Sequence, residues 1–108
     1  MEPIRRVTEP TIDVLTVMLE TPHPIWGLLI IKKSDRLPGT VYPILERLER
    51  QGWITSTWEE DAERQGPRRR LYEFTAEGES AARELCLAFH EKRQTGNQAP
   101  VAGKLALS

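Results

Sequence analysis

"DRLPGTVYPILERLERQGWI", residues 35–54, decides how the rest of the chain is read. With Pro38 at the first helical position, where its missing N–H is unsatisfied in any helix, Val41, Ile44, Leu45 and Leu48 fall at i, i+3, i+4 and i+7. They form one apolar stripe. Gly52 is placed to end the helix in the left-handed conformation that glycine adopts without strain. A helix made only for packing has little use for Gly39 beside its start, or for Pro43 one turn in, which removes a backbone hydrogen bond and bends the first turn. Nor does packing need Thr40, Arg47 and Arg50 along one flank, with Tyr42 and Glu46 on the polar side. A helix whose first turns must come close to another molecule has a use for each.

The flanking segments read outward from this helix. Upstream, Glu9-Pro10 opens a helix over about residues 10–20, with Ile12, Leu15, Met18 and Leu19 at helical spacing. The prolines of "TPHP", residues 21–24, break it. "IWGLLIIKK", residues 25–33, is short and apolar enough to be a strand. The short polar connection "SDRL" into the next helix favours a second helix instead, with Trp26 in the core. Downstream, "WITSTWEE" has strand composition, "DAERQGP" reads as a turn, and "RRRLYEF" as a second strand with Tyr72 and Phe74 on one face. Thr75 can cap a last helix over about residues 76–93, with Glu77 and Glu79 in its first turns. Ala81, Ala82, Leu85, Cys86, Ala88 and Phe89 give it an apolar stripe wider than one small core needs, so part of that stripe is expected to face a partner.

The expected organisation is therefore an arm over residues 1–8, a compact unit over 9–75, a partner-facing helix over 76–94, and a disordered tail over 95–108. Its 108 residues suit a single small core. Cys86 is the only cysteine, which excludes an intrachain disulfide and makes it a packing residue; with two histidines and no CxxC, a zinc site is not expected. No cofactor is expected either. His23 lies between prolines and His90 on a polar helix surface, neither near a nucleophile it could activate, which argues against an enzyme. No apolar run has transmembrane length, and "MEPIRRVTEPT" lacks a signal-peptide core, so a cytoplasmic location is expected.

Net charge is −1, yet the charges are segregated. "EEDAE", residues 59–63, holds four acids, and "RQGPRRR", residues 64–70, holds four arginines. Phosphate contacts are local, screened within ~8–10 Å, so the distribution outweighs the sum.

The order helix, helix, short turn, helix, hairpin, long helix makes a mainly α chain with a β-hairpin: a winged helix-turn-helix followed by a C-terminal dimerisation helix. Such a recognition helix enters the major groove of DNA by its N-terminal turns. Gly39 lets the backbone approach, the helix end favours a phosphate, Thr40 and Tyr42 supply hydroxyls, and Arg47 and Arg50 supply charge. Arg68, Arg69 and Arg70 at the hairpin would form the wing. Against this, Tyr42 fits equally well as a partly buried structural residue, and Arg47 and Arg50 as surface partners of Glu46 and Glu49. A winged helix that binds protein through its hairpin and acidic strip is the competing function. Steep salt dependence on duplex DNA separates the two.

"GTVYPILERLERQGWI" followed by "PRRRLYEFTAEG" resembles the PadR family of transcriptional regulators, over roughly residues 9–90. The resemblance implies a homodimeric winged-helix protein, usually a repressor, that binds double-stranded DNA. Dimer symmetry in turn leads one to expect a pseudo-palindromic operator. By position, Thr40, Tyr42 and Pro43 fall on the recognition-helix motif and Arg68, Arg69 and Arg70 on the wing motif. The C-terminal helix would supply the dimer contact, here Ala81, Leu85, Ala88 and Phe89. Family members often respond to small aromatic or cationic compounds, so a small aromatic effector belongs to the expected partners; core packing is the more ordinary role for Trp26, Trp53 and Trp58. Two departures stand out. Leu37 replaces the serine that often precedes Pro-Gly, leaving Asp35 as the substitute cap, and the short C-terminal helix places the chain among the small members.

Overall fold

The computed structural model describes residues 1–60, 66 and 68–105, of which 93–105 as backbone only. Along the chain run α1 (Glu9–Glu20), β1 (Ile25–Trp26), α2 (Gly27–Ser34), α3 (Pro38–Arg50), β2 (Ile54–Trp58), β3 (Arg70–Phe74) and α4 (Ala76–Leu105). Among the described residues, no helix is long and apolar enough to cross a membrane.

α1 starts where Thr8 Oγ1 accepts the Thr11 N–H, with Pro10 in the first turn. It buries Ile12, Val14, Leu15, Val17 and Met18, more than the single stripe expected, while Leu19 is only partly covered. The reason is tertiary: α2, α3 and α4 all pack against α1, so it is enclosed on several sides.

The apolar run 25–33 does not form one helix. Ile25 and Trp26 pair with Tyr72 and Leu71 of β3, and α2 begins only at Gly27. The sheet therefore has three strands, in the order β1-β3-β2, rather than the two of a simple hairpin. A lone hairpin is marginal in water, and the third strand satisfies the backbone groups on the open edge of β3. Trp26 is consequently half-buried at the sheet rather than a core residue.

α3 follows its sequence closely. Val41, Ile44, Leu45 and Leu48 are all buried. At its start the Leu37 carbonyl accepts the Thr40 and Val41 N–H groups at 2.9 and 3.0 Å, with no side-chain cap. Asp35 does not substitute, because it ends α2 in the left-handed conformation at φ 58°. At the far end Gly52 has φ 86°; its N–H reaches the Glu49 carbonyl at 3.1 Å and the Trp53 N–H that of Leu48 at 2.9 Å. This pair of bonds is the Schellman closure. Arg36, in the turn before α3, donates from Nε and Nη2 to Asp13 Oδ2 of α1 at 2.9 and 2.8 Å.

β2 and β3 are antiparallel, with Ser56 opposite Tyr72 and Trp58 opposite Arg70. The expected turn between them lies outside the described residues except for Gly66, at φ 98°. Thr75 then does two jobs. Its Oγ1 accepts the Gly78 N–H at 3.0 Å, capping α4, and its hydroxyl reaches the Gly52 and Trp53 carbonyls at 2.9 and 3.2 Å. Thr75→Ala is therefore expected to lower stability by about 1–2 kcal/mol, read as a lower urea midpoint at unchanged slope.

Ala82 and Cys86 turn the inner face of α4 to the core. Burial pushes the Cys86 thiol above its ordinary pKa, only partly opposed by the Thr16 hydroxyl at 3.7 Å, so it packs as a neutral group. The helix continues through Leu105, so residues 95–105 are helical backbone where a disordered tail was expected. Extending a formed helix costs far less than starting one, which lets it run through a weakly helical sequence. Residues 106–108 lie outside the described residues.

Candidate nucleic-acid interface

Successive residues of α3 turn by ~100°, so the direction opposite its buried stripe is shared by Gly39, Pro43, Glu46 and Arg50. Tyr42 flanks that line towards the sheet and Arg47 lies on the other side; all of these are exposed, and Thr40 is half-buried. A Cβ on Gly39 would meet nothing within 4 Å, so the first turn presents bare backbone. Tyr42 is 40% exposed, yet its ring is supported: a Cβ on Gly27 would lie 3.4 Å from Tyr42 Cε1 and 3.1 Å from Tyr72 Cε1. Tyr42 thus combines a structural seat on α2 with an accessible edge.

Glu46 and Glu49 do not neutralise the helix arginines. Among the described residues neither Arg47 nor Arg50 has an ion-pair partner. Glu49 is committed elsewhere, its Oε2 accepting from Ser56 Oγ at 2.7 Å and its Oε1 lying 3.9 Å from Arg70 Nη2. Arg70 also donates to Ser56 Oγ at 2.8 Å and stacks on Trp58, its Cζ 5.0 Å from the ring centre. This chain of interactions fixes the sheet to α3.

The other two wing arginines differ from each other. Arg69 lies over the Trp26 ring at 4.0 Å, with Glu59 Oε2 at 3.9 Å from its Nη1. Arg68 is exposed and donates from Nε to the Glu59 carbonyl at 3.2 Å. Sequence reasoning missed these partners because Trp26, Trp58 and Glu49 are distant along the chain; the only local hint was an aromatic residue near each end of the acidic and basic runs. Of the three tryptophans only Trp53 is a core residue, at 3% exposure, while Trp58 is 50% exposed.

Between α3 and the sheet these residues enclose a cleft of about 540 Å³, lined by Trp26, Tyr42, Glu46, Trp58, Arg68 and Arg70 among others. Tyr72 forms its floor. Burial raises its phenol pKa, with Arg70 working against the rise and Tyr42 and Glu49 adding to it, so the hydroxyl stays protonated and able to donate.

The sequence pattern of the transcriptional regulator PadR-like family matches residues 14–84, from within α1 into α4. The chain belongs to the PadR-like family. Its members are regulatory DNA-binding proteins rather than enzymes. Among solved structures, a PadR-like transcription factor from Bacteroides fragilis is 28% identical, with TM-score 0.62, covering 82% of this chain and 87% of that one. The smu.1704 protein of Streptococcus mutans UA159 is 24% identical at TM-score 0.68, covering 89% of this chain and 92% of its own. The PcaV transcriptional regulator of Streptomyces coelicolor, solved with its natural ligand, is 21% identical at TM-score 0.73, covering 89% and 64%. These last two share the fold. No curated protein matches the chain. In this PadR-like chain α2 and α3 form the helix-turn-helix of a winged-helix fold, and the β2–β3 hairpin is its wing.

The remaining predicted residues lie on α4. Ala81, Leu85 and Phe89 are half-buried, partly against the core, and Ala88 is exposed. Ala81, Leu85 and Ala88 share an apolar groove of about 520 Å³ with Met1, Pro3 and Ile4. The arm is held there because the Glu2 N–H donates to the Gln51 carbonyl at 2.8 Å and Trp53 Nε1 to the Glu2 carbonyl at 2.6 Å.

Proposed function

We propose that this PadR-like chain is a sequence-specific repressor that binds duplex DNA as a homodimer on a pseudo-palindromic operator. The observation that carries the reading is the outward face of α3. It is exposed along its length, bare at Gly39, and carries Arg47 and Arg50, which have no ion-pair partner among the described residues, beside a wing that presents Arg68. In this reading the first turn of α3 approaches a phosphate with the Gly39 backbone, and Thr40 and Tyr42 donate hydroxyls. Pro43 offers an apolar surface to a thymine methyl, and Arg47 reaches the groove. Arg68 touches the DNA backbone, while Arg69 and Arg70 hold the base of the wing against Trp26 and Trp58. A small aromatic effector, if the chain takes one, finds its aromatic surface in the Trp26–Tyr42–Trp58 cleft, where it competes with DNA.

Binding titrations at several salt concentrations, on the selected operator and on random duplex, test this. Arg68→Ala is expected to weaken both DNAs alike and to flatten the slope of log affinity against log salt by up to ~0.9 for each phosphate that the variant no longer neutralises. Arg47→Ala is expected to narrow the gap between the two DNAs by ~1–3 kcal/mol. A wild-type protein with no salt-dependent affinity for duplex DNA overturns the reading in favour of a protein-binding winged helix. A strongest site that is one asymmetric half-site overturns the palindrome, whose half-sites should lie one or two helical turns apart, ~34 Å per turn.

A further inference from the structure

Glu46 is an unusual residue to leave bare on a DNA-facing helix. With Gly39, Pro43 and Arg50 it shares the direction opposite the buried stripe of α3, and because Gly39 has no side chain and Pro43 a short ring, Glu46 and Arg50 are the longest side chains on that face. Glu46 is exposed and, among the described residues, has no hydrogen bond or ion pair. Glu49 shows that the fold can retire a helix carboxylate, since Ser56 and Arg70 hold it against the sheet. Glu46 lies at the rim of the cleft that Arg68 and Arg70 also line, yet among the described residues neither arginine pairs with it.

An unpaired carboxylate beside phosphates lowers affinity, so at the groove its favourable place is against a hydrogen-bond donor on a base edge. Guanine shows two acceptors there, N7 and O6, and thymine an acceptor and a methyl group. Adenine sets the N7 acceptor beside its N6 donor. Cytosine alone offers an amino donor with no acceptor next to it on the same base. We propose that Glu46 specifies a cytosine in each half-site by accepting a hydrogen bond from its N4 amino group. The inference rests on α3 being the groove-facing helix of a DNA-binding dimer, and it makes Glu46 a source of specificity at some expense in general affinity.

The test is selection of bound sequences from a random duplex library by the full chain, compared for wild type, Glu46→Gln and Glu46→Ala. Wild type should enrich cytosine at one symmetry-related position per half-site, by roughly 5- to 150-fold over the other bases. Glu46→Gln, which adds a donor beside the acceptor, should move that position towards adenine. Glu46→Ala should lose the preference there and keep the rest of the consensus, which also shows that the variant is folded. If both variants return the wild-type consensus with uniformly tighter binding, Glu46 acts only as a repulsive surface charge and the inference is overturned while the regulator reading stands. If wild type enriches no sequence, the regulator reading fails and this one with it.

Discussion

Gly78→Ala is expected to lower the melting temperature by about 10 °C, although alanine is the better helix former. The first turn of α4 lies directly on the start of β2. A Cβ at residue 78 would sit 2.8 Å from Trp53 Cα and 2.6 Å from its carbonyl carbon, and would overlap the carbonyl oxygen. Those neighbours are backbone, and the backbone is pinned. The Trp53 N–H bonds to the Leu48 carbonyl, its Nε1 to the Glu2 carbonyl, and its own carbonyl accepts from the Thr75 N–H at 3.0 Å. Relief therefore requires moving α4 off the sheet, an overpacking cost of ~3 kcal/mol or more. Helix propensity returns ~1 kcal/mol, leaving a loss of ~2 kcal/mol, and each kcal/mol is worth ~4–8 °C in a domain of this size. Gly39→Ala is the control. Its methyl meets nothing within 4 Å, so its stability should hold or rise by up to ~1 kcal/mol. The same methyl should nonetheless weaken DNA binding if the first turn of α3 approaches a phosphate. Equal melting temperatures for Gly78→Ala and wild type would show that α4 does not approach β2 so closely.

These contrasts track what was legible in the sequence. α3 could be read almost residue by residue because its signals are local: the Pro38 start, the stripe from Val41 to Leu48, and the Gly52 closure. The capping role of Thr75 was legible for the same reason. β1 was not, because Ile25 and Trp26 carry no signal that distinguishes a strand from a buried helical turn. Their conformation is decided by Tyr72 and Leu71, far along the chain. The wing arginines were visible as charge, but their partners were not. A run of three arginines looks like one phosphate-binding unit, whereas the structure seats Arg69 on Trp26 and Arg70 on Trp58 and leaves Arg68 the most exposed. Glu46 and Glu49 likewise read as equivalent surface acids flanking Arg47. Only the position of Ser56 and Arg70 separates them, and that separation turns Glu46 from an ordinary surface charge into a candidate base-reading group.

Leu85→Asp combined with Ala88→Asp is expected to convert the protein to a monomer and to reduce its affinity for a palindromic operator by ~10²–10⁴-fold. Both residues line the apolar groove that α4 forms with Met1, Pro3 and Ile4. Phe89 is left in place because it does not line that groove. Leu85 packs partly against the core, as Phe89 does, so unchanged binding to a half-site duplex also shows that the variant is folded. A two-fold dimer uses the same patch on both copies, and a stable interface buries ~800 Å² per partner. α4 has 30 residues, which at ~1.5 Å each gives ~45 Å of helix, long enough to supply such a patch together with the arm. Joining two recognition helices makes the second half-site encounter intramolecular, and this is the source of the large factor. A half-site duplex should therefore bind wild type and variant with similar affinity and similar salt slopes, while the full operator should separate them. Sedimentation at micromolar concentration reads the first step and operator titration the second. A wild type that stays monomeric removes the basis for the palindrome. A variant that remains dimeric places the interface elsewhere on the molecule. A variant that becomes monomeric yet keeps full operator affinity would show that one α3 and its wing suffice, and that symmetry contributes nothing to recognition.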